Sequence, residues 1–339
     1  MRRKIKQSIT LKDIAEKTGY SVNTVSRALR EKDDIAEETI ERIKKVAKEL
    51  GYVNNTIASS LRLGYTNTLA VIIGDISNPH FAIMTKEIEN HARLKGYSSI
   101  LLNTNEDKDI ERQAITMAIH KNVDGIIICP TQIDNENLEY LESSNIPFIQ
   151  IGRRTYGKEY NYVVCDDEKG GYIATKHLIE NGHKRILFLN GPEYVSSAKE
   201  RYDGYRKAIK EAGLPFDEAL VRDVDLGEDS VENALEEIFG EDLQFTAIFA
   251  FSDMIAWRVW DWLDKRGFSI PEDYSIVGFD FIQSRMRIPT PLTTISSYKM
   301  QMSITAVDCI LKVIQDENED KFHKVIGTTL VQGRTVKKL

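Results

Sequence analysis

From Thr68 onward the chain switches repeatedly between short apolar runs and amphipathic helical stretches, and this alternation restricts the fold more than any other feature. Strand-like runs fall at 69–74, 98–103, 125–129 and 147–151, with 161–165 closing the group. Helical spacing separates them at about 80–95, 107–120 and 136–143. A second series has strands at 185–190, 219–224, 245–251 and 274–280, with helices at about 167–182, 198–213, 228–239 and 253–267. Residues 290–296, a helix at about 299–316 and a strand near 325–331 complete the chain. Strands alternating with helices pack as parallel sheets covered on both faces, so the pattern predicts two successive doubly wound sheets. Open sheets of this kind take ligands at the carboxyl ends of their strands, which puts the expected site in a cleft between two lobes.

The first 65 residues obey a different rule. Residues 1–9 read as a loose basic arm. Thr10 is placed to cap a helix, with Asp13 completing a capping-box-like pair and Gly19 ending it. Ser21 caps a second helix from Val22 to about Arg30, where Val25, Ala28 and Leu29 form an inward stripe and Asn23, Ser26, Arg27 and Arg30 point away. By spacing alone Val22 joins the inward set. Two short helices around a Gly-containing turn, the second with a polar and cationic outer face, form a helix-turn-helix pattern. Glu37 and Glu38 open a third helix that Gly51 stops. Thr56–Leu63 has helical spacing but is too short to be stable alone in water. Residues 1–65 hold 14 Lys+Arg against 9 Asp+Glu, a net +5, whereas the remainder carries −12. A basic module on an acidic body is the distribution expected when only the front end touches a polyanion.

Other classes are opposed by what is absent. No apolar run approaches the ~20 residues that span a bilayer, and MRRKIKQSI lacks the apolar core of a secretory signal. Cys129, Cys165 and Cys309 are too widely spaced for a disulfide framework or a metal motif. A cytoplasmic protein with no membrane association is expected. No G-x-S-x-G, P-loop, G-x-G-x-x-G or H-E-x-x-H occurs, and the six histidines show no metal-ligand spacing. No enzymatic activity, metal or cofactor is therefore expected.

The stretches LKDIAEKTGYSVNTVSRAL, ETIERIKKVAKELGY and NNTIASSLR closely resemble the DNA-binding headpiece and hinge of the LacI/GalR family of bacterial regulators. The likeness continues through IGDISNPHF (73–81), IGR (151–153), VVCDDEKGGYIATKHLIENGHKRILFLNGP (163–192), RYDGYRKAI (201–209), FAFSDMIAW (249–257), VGFDF (277–281) and PLTTISS (291–297). It implies an α/β chain with a small all-α helix-turn-helix headpiece (1–55), a hinge helix and linker (56–67), and a bilobal domain like the periplasmic binding proteins (68–339). The family fold crosses between lobes near residues 164, 290 and 320. Lobe 1 would then comprise about 68–164 plus 291–320, and lobe 2 about 165–290 plus 321–339.

The same resemblance assigns roles. Val22, Asn23 and Arg27 become the base-reading positions, Asn suiting adenine and Arg suiting guanine. There Val22 projects toward DNA, against the periodicity reading. Thr10, Ser21, Thr24, Ser26 and Asn54 become phosphate contacts, which position without specifying. Ala58 and Leu61 belong to the hinge, with Leu61 the wedge that opens the minor groove. For the effector, the loops that follow strands supply Asp75, Asn78, Phe81 and Arg153 from the first lobe and Ser197, Arg201, Ser252, Asp253 and Asp280 from the second, and the resemblance favours Arg201, Asp253 and Asp280 among them. Asn103, Asn105 and Thr131 are further polar candidates. The expected partners are a pseudo-palindromic double-stranded DNA operator, a second copy in a homodimer, and a small-molecule effector. A sugar is favoured over a purine because the candidate wall is rich in Asp, Asn, Ser and Arg.

Two departures bear on the effector. Many members carry an aromatic residue after a second-lobe strand where this chain has Asp225–Leu226, and a Gln where it has Ser297. The stacking partner then falls to Phe81, Tyr156 or Trp257. Control by a phosphoprotein co-regulator or a nucleobase is the alternative regulator reading. A solute-binding protein that does not act on DNA is the alternative from another class.

Overall fold

The computed structural model describes residues 9–52, 64–224, 229–241, 243–285, 291–316 and 321–339. Asn54, Ala58 and Leu61, together with the expected hinge helix, lie outside the described residues, as do Asp225–Leu226. The chain divides into two compact units, Met1–Thr66 and Asn67–Leu339.

In the first unit α1 (Leu11–Thr18) starts where the sequence provides a cap. The Thr10 hydroxyl accepts from the Asp13 N–H, the Asp13 carboxylate accepts from the Thr10 N–H, and Gly19 ends the helix at φ 78°. Ser21 accepts from the Thr24 N–H to open α2 (Val22–Ala28). The third helix, α3 (Glu37–Leu50), ends at Gly51 with φ 69°. Ile14, Ala15, Val25, Ala28, Ile43 and Ala47 form the buried centre, edged by Leu11, Tyr20, Leu29, Ile35 and Tyr52. These helices are too short to persist alone and depend on that shared core.

The second unit begins with β1 (Thr68–Ile73), α4 (Pro79–Leu94), β2 (Ser98–Asn103), α5 (Lys108–His120), β3 (Gly125–Ile128), α6 (Glu136–Ser143), β4 (Phe148–Ile151) and β5 (Tyr162–Cys165). It continues with α7 (Asp167–Glu180), β6 (Ile186–Asn190), α8 (Ser196–Glu211), β7 (Val221–Asp223), α9 (Ser230–Gly240), β8 (Ala247–Ala250), α10 (Asp253–Asp264) and β9 (Ser275–Asp280). The chain closes with β10 (Thr293–Ser296), α11 (Lys299–Ile314), β11 (His323–Ile326) and β12 (Thr329–Val331). Two six-stranded sheets result, ordered β11-β5-β4-β3-β1-β2 and β12-β10-β9-β8-β6-β7. All pairings are parallel except β10 with β12. Period-two alternation divides each strand between two cores. On β1, Leu69, Val71 and Ile73 meet α4 and α11, whereas Ala70 and Ile72 meet α5 and α6. The second sheet is covered by α9 and α10 on one face and by α7 and α8 on the other.

The lobe limits differ from expectation at two of the three crossings. The first lies between β5, which belongs to the first sheet, and α7, which packs in the second lobe. Residues 291–296 lie in lobe 2, because β10 pairs in parallel with β9. The second crossing therefore follows Ser296, and α11 packs its Met302, Ala306, Val307 and Ile310 against the first sheet. The expected last strand is two strands. β11 pairs with β5 in the first sheet and β12 with β10 in the second, so the third crossing is at residues 327–328. Backbone pairing, which composition does not encode, decides these limits.

Candidate functional site

A cleft of about 460 Å³ opens between the two sheets, within the range of small-molecule sites. Its lining comes from residues that follow the carboxyl ends of strands: Asp75 after β1, Asn105 and Glu106 after β2, and Arg153 after β4 on one side. Opposite them stand Pro192, Tyr194 and Val195 after β6, Val224 after β7 and Phe251 after β8. Phe81 of α4 and Ile255 of α10 complete it. Lobe 1 thus supplies a polar wall and lobe 2 an apolar, aromatic one.

The polar wall is organised around a guanidinium. Arg153 donates two parallel hydrogen bonds to Glu106, Nη1 to Oε2 at 2.7 Å and Nη2 to Oε1 at 3.0 Å, and a third to the Pro130 carbonyl at 3.0 Å. Such bidentate pairs are strong and directional. The Glu106 carboxylate rests on the backbone at Gly74, where a Cβ would fall 2.0 Å from its Oε1. Asp75 beside it accepts from the Ser77 N–H and hydroxyl, each at 2.8 Å.

Behind the apolar wall lies a buried ionic network. The Arg201 guanidinium donates to Asp167 Oδ1 at 2.8 Å and to the Phe251 carbonyl at 2.6 Å, and stacks over the Phe251 and Phe279 rings. Asp280 Oδ1 lies 3.9 Å from Arg201 Nη2 and 3.2 Å from Nδ1 of His80, which belongs to the other lobe. Burial pushes Asp280 up, but the His80, Arg201 and Lys299 charges outweigh it and hold its carboxyl below the usual range. Asp253 goes the other way, raised to about 8 by burial and then by the Asp280 charge. It accepts from the Ile282 N–H at 2.8 Å and lies 2.5 Å from the Thr294 hydroxyl. Asp167 is raised to about 6, mainly by burial.

The lobes also meet next to the cleft lining. The Gln132 side-chain oxygen accepts from the Ser196 N–H at 3.0 Å, and the Arg154 N–H donates to the Ser196 hydroxyl at 3.1 Å. Glu200 on α8 accepts from Arg154 Nε at 2.9 Å and from the Tyr156 hydroxyl at 2.5 Å.

In the headpiece, Val22 and Asn23 stand exposed on the first turn of α2, Val22 by 46%. Arg27 follows one turn later, its guanidinium paired with Asp34 at 2.5 Å. Ser26 and Thr24 are half-buried. Val22 points outward, against its spacing from Val25, because Val25 and Ala28 already meet Ile14 and Ile43 at the core.

Residues 10–55 match the family described as bacterial regulatory proteins, lacI family, and residues 66–336 match the periplasmic binding proteins and sugar binding domain of the LacI family. The chain belongs to the LacI family. The HTH-type transcriptional repressor PurR of Actinobacillus pleuropneumoniae serotype 3 is 32% identical over 306 residues, covering 90% of this chain and 91% of that protein. Among solved structures, a complex of the transcriptional regulator CelR with cellobiose aligns at a TM-score of 0.74 and 26% identity, over 96% of this chain and 99% of that one. The lac repressor dimer bound to operator and the anti-inducer ONPF has the same fold, at a TM-score of 0.87 and 23% identity, over 98% of this chain and 100% of the other. This LacI-family member is a DNA-binding transcriptional repressor with a small-molecule-binding domain.

Of the effector candidates in the repressor, Asp75, Phe81 and Arg153 line the cleft, as does Asn105 of the further polar set. Asn78, Ser197, Arg201, Ser252, Asp253 and Asp280 are not among the lining residues and have other local roles. Asn78 caps α4 by accepting from the His80 N–H, and Ser252 caps α10. Ser197 is buried in the first turn of α8. Arg201, Asp253 and Asp280 form the network behind the wall. Burial of each charge against partners from several strand ends explains why strand-end position alone did not separate lining from support. Tyr156 and Trp257 also lie off the lining, Tyr156 on Glu200 and Trp257 stacked on Trp260. The aromatic lining residues beyond Phe81 are Tyr194 and Phe251, neither singled out by sequence. Glu106 was missed as well. It shares the loop of Asn103 and Asn105, and its position after a strand was the available signal.

Proposed function

We propose that this repressor acts as a homodimer on a pseudo-palindromic operator and that a sugar bound between the lobes controls its DNA affinity. The observation that carries the effector reading is the two-sided cleft, with hydrogen-bonding carboxylate, amide and guanidinium groups facing Tyr194 and Phe251. A sugar ring has the same asymmetry, hydroxyls at its edge and a C–H face that packs on aromatic rings. The CelR complex with cellobiose supports this choice by analogy. A ligand touching both walls favours one lobe arrangement by its differential contacts, and through the crossings that difference reaches the first lobe.

In this reading Val22, Asn23 and Arg27 contact bases, while Thr24 and Ser26 hold phosphates. Thr10 and Ser21 act first as helix caps, since their hydroxyls are engaged by Asp13 and Thr24. Asn54, Ala58 and Leu61 complete the DNA set, with Leu61 inserted in the minor groove. A nucleobase effector is the second reading, favoured by the relatives that carry the name PurR. The test is a thermal-shift screen of the full chain against sugars and nucleobases, followed by gel-shift titration on DNA selected from a random pool. A sugar hit that changes operator affinity about tenfold or more, within the usual range of allosteric coupling, is expected. A nucleobase hit with no sugar hit overturns the sugar assignment.

A further inference from the structure

The charge of the cleft wall restricts the effector more narrowly than its shape does. Among the described residues the lining holds two carboxylates, Asp75 and Glu106, and one guanidinium, Arg153. That guanidinium is already held in a bidentate pair by Glu106 and by the Pro130 carbonyl. Asp75 takes its hydrogen bonds from Ser77, a neutral group. An anion entering here would face a net negative wall whose only described cation is engaged.

The placement of Glu106 is built into the backbone. Asn105 and Glu106 both take left-handed conformations, at φ 53° and 56°. Asn tolerates that region, but Glu seldom occupies it, and such strain persists where surrounding contacts hold it. Here the contacts are the Arg153 fork on one side and the bare backbone of Gly74 on the other. The strained turn directs a carboxylate at Arg153 and covers the group that would otherwise attract phosphate.

We propose that the effector is an uncharged polyol, a sugar or glycoside bearing no phosphate or carboxylate, and that Glu106 sets this specificity by occupying Arg153. The proposal rests on the sugar reading of the cleft. Glu106 and Asp75 accept hydrogen bonds from the ligand hydroxyls, and Tyr194 and Phe251 cover its C–H face.

Paired probes test it on the full-length chain by isothermal titration: glucose with glucose 6-phosphate, ribose with ribose 5-phosphate, cellobiose with its phosphate ester, and hypoxanthine. The neutral member of the binding pair is expected to bind on the order of 100-fold tighter than its ester, since like charges placed together weaken binding strongly. Glu106→Gln frees Arg153 and should narrow that ratio at least tenfold. Glu106→Asp keeps the charge and should preserve it, which separates the electrostatic role from damage to the fold. A tighter phosphate ester in the wild type overturns the inference while leaving the sugar reading standing. An unchanged ratio in Glu106→Gln removes Glu106 from the role and equally overturns it. Binding of hypoxanthine alone, or of none of the probes, defeats the sugar reading itself.

Discussion

At the scale of single residues, the buried carboxylates separate by environment. Asp253 has an ordinary value of 3.8 and is raised in the folded chain to about 8, first by burial and then by Asp280. The folded state therefore keeps a proton that the unfolded chain releases above about pH 4. Its contribution to stability is fully present at low pH and is lost as pH rises from about 4 to about 8. Asp253→Asn removes that titration while retaining an acceptor oxygen for the Ile282 N–H, and places an amide NH2 where the Thr294 hydroxyl now donates. The melting temperature of the variant relative to wild type should rise steadily between about pH 5 and pH 8. A difference that stays flat over that interval would show that Asp253 is ionised in the native state. The sequence placed Asp253 and Asp280 correctly at strand ends but did not distinguish a lining carboxylate from a supporting one. That difference depends on which charges arrive from distant helices, His80 from α4 in lobe 1 and Arg201 from α8.

At the scale of elements, α7 packs backbone to backbone against α8. Gly171 and Gly204 make this approach possible, since a Cβ on Gly204 would fall 2.0 Å from the Glu168 carbonyl oxygen, and one on Gly171 2.3 Å from that of Arg201. Both obstacles are backbone, which yields less readily than a side chain. Gly204→Ala should therefore destabilise the second unit by about 1–3 kcal/mol, the usual range for overpacking, despite the better helix propensity of Ala. Denaturant unfolding measures this. A neutral or stabilising result would mean that the two helices separate easily, and Arg201 would then be less firmly held than its buried pairing suggests. Two helix starts were legible in the sequence, because Thr10 and Ser21 accept the expected capping hydrogen bonds, whereas Asn78 and Ser252, read as effector contacts, are caps as well. The closeness of α7 and α8 was not, since a Gly pair reads as weak helix until its neighbour is known.

At the scale of the whole molecule, the two lobes are joined by three chain crossings and by polar contacts beside the cleft. Glu200 collects Arg154 and Tyr156 from the opposite lobe, and its side chain is largely buried. Glu200→Gln weakens this joint without removing bulk. It should lower affinity for the effector about tenfold, the effect of losing a charge-assisted hydrogen bond of ~1.5 kcal/mol. Titration calorimetry with the best sugar hit checks this, and an unchanged affinity would show that the pairing takes no part in lobe closure. Lobe closure is also how the fold would connect ligand to DNA, so the same variant should alter the effector's influence on operator binding in the same direction.

The linear sequence determined the class of this protein. Hydrophobic periodicity specified two parallel α/β sheets, capping residues fixed the helix starts, and the basic, helix-turn-helix front end set it apart from the acidic remainder. These are local properties, set within a few residues by backbone geometry and side-chain patterning. Tertiary structure alone decided the strand pairings that move the lobe limits to residues 296 and 327–328, and the choice of Glu106, Tyr194 and Phe251 over Arg201, Asp253 and Asp280 as cleft lining. Each depends on which distant segment arrives alongside. Burial, charge pairing and steric contact act between residues far apart in the chain, and no local pattern encodes them.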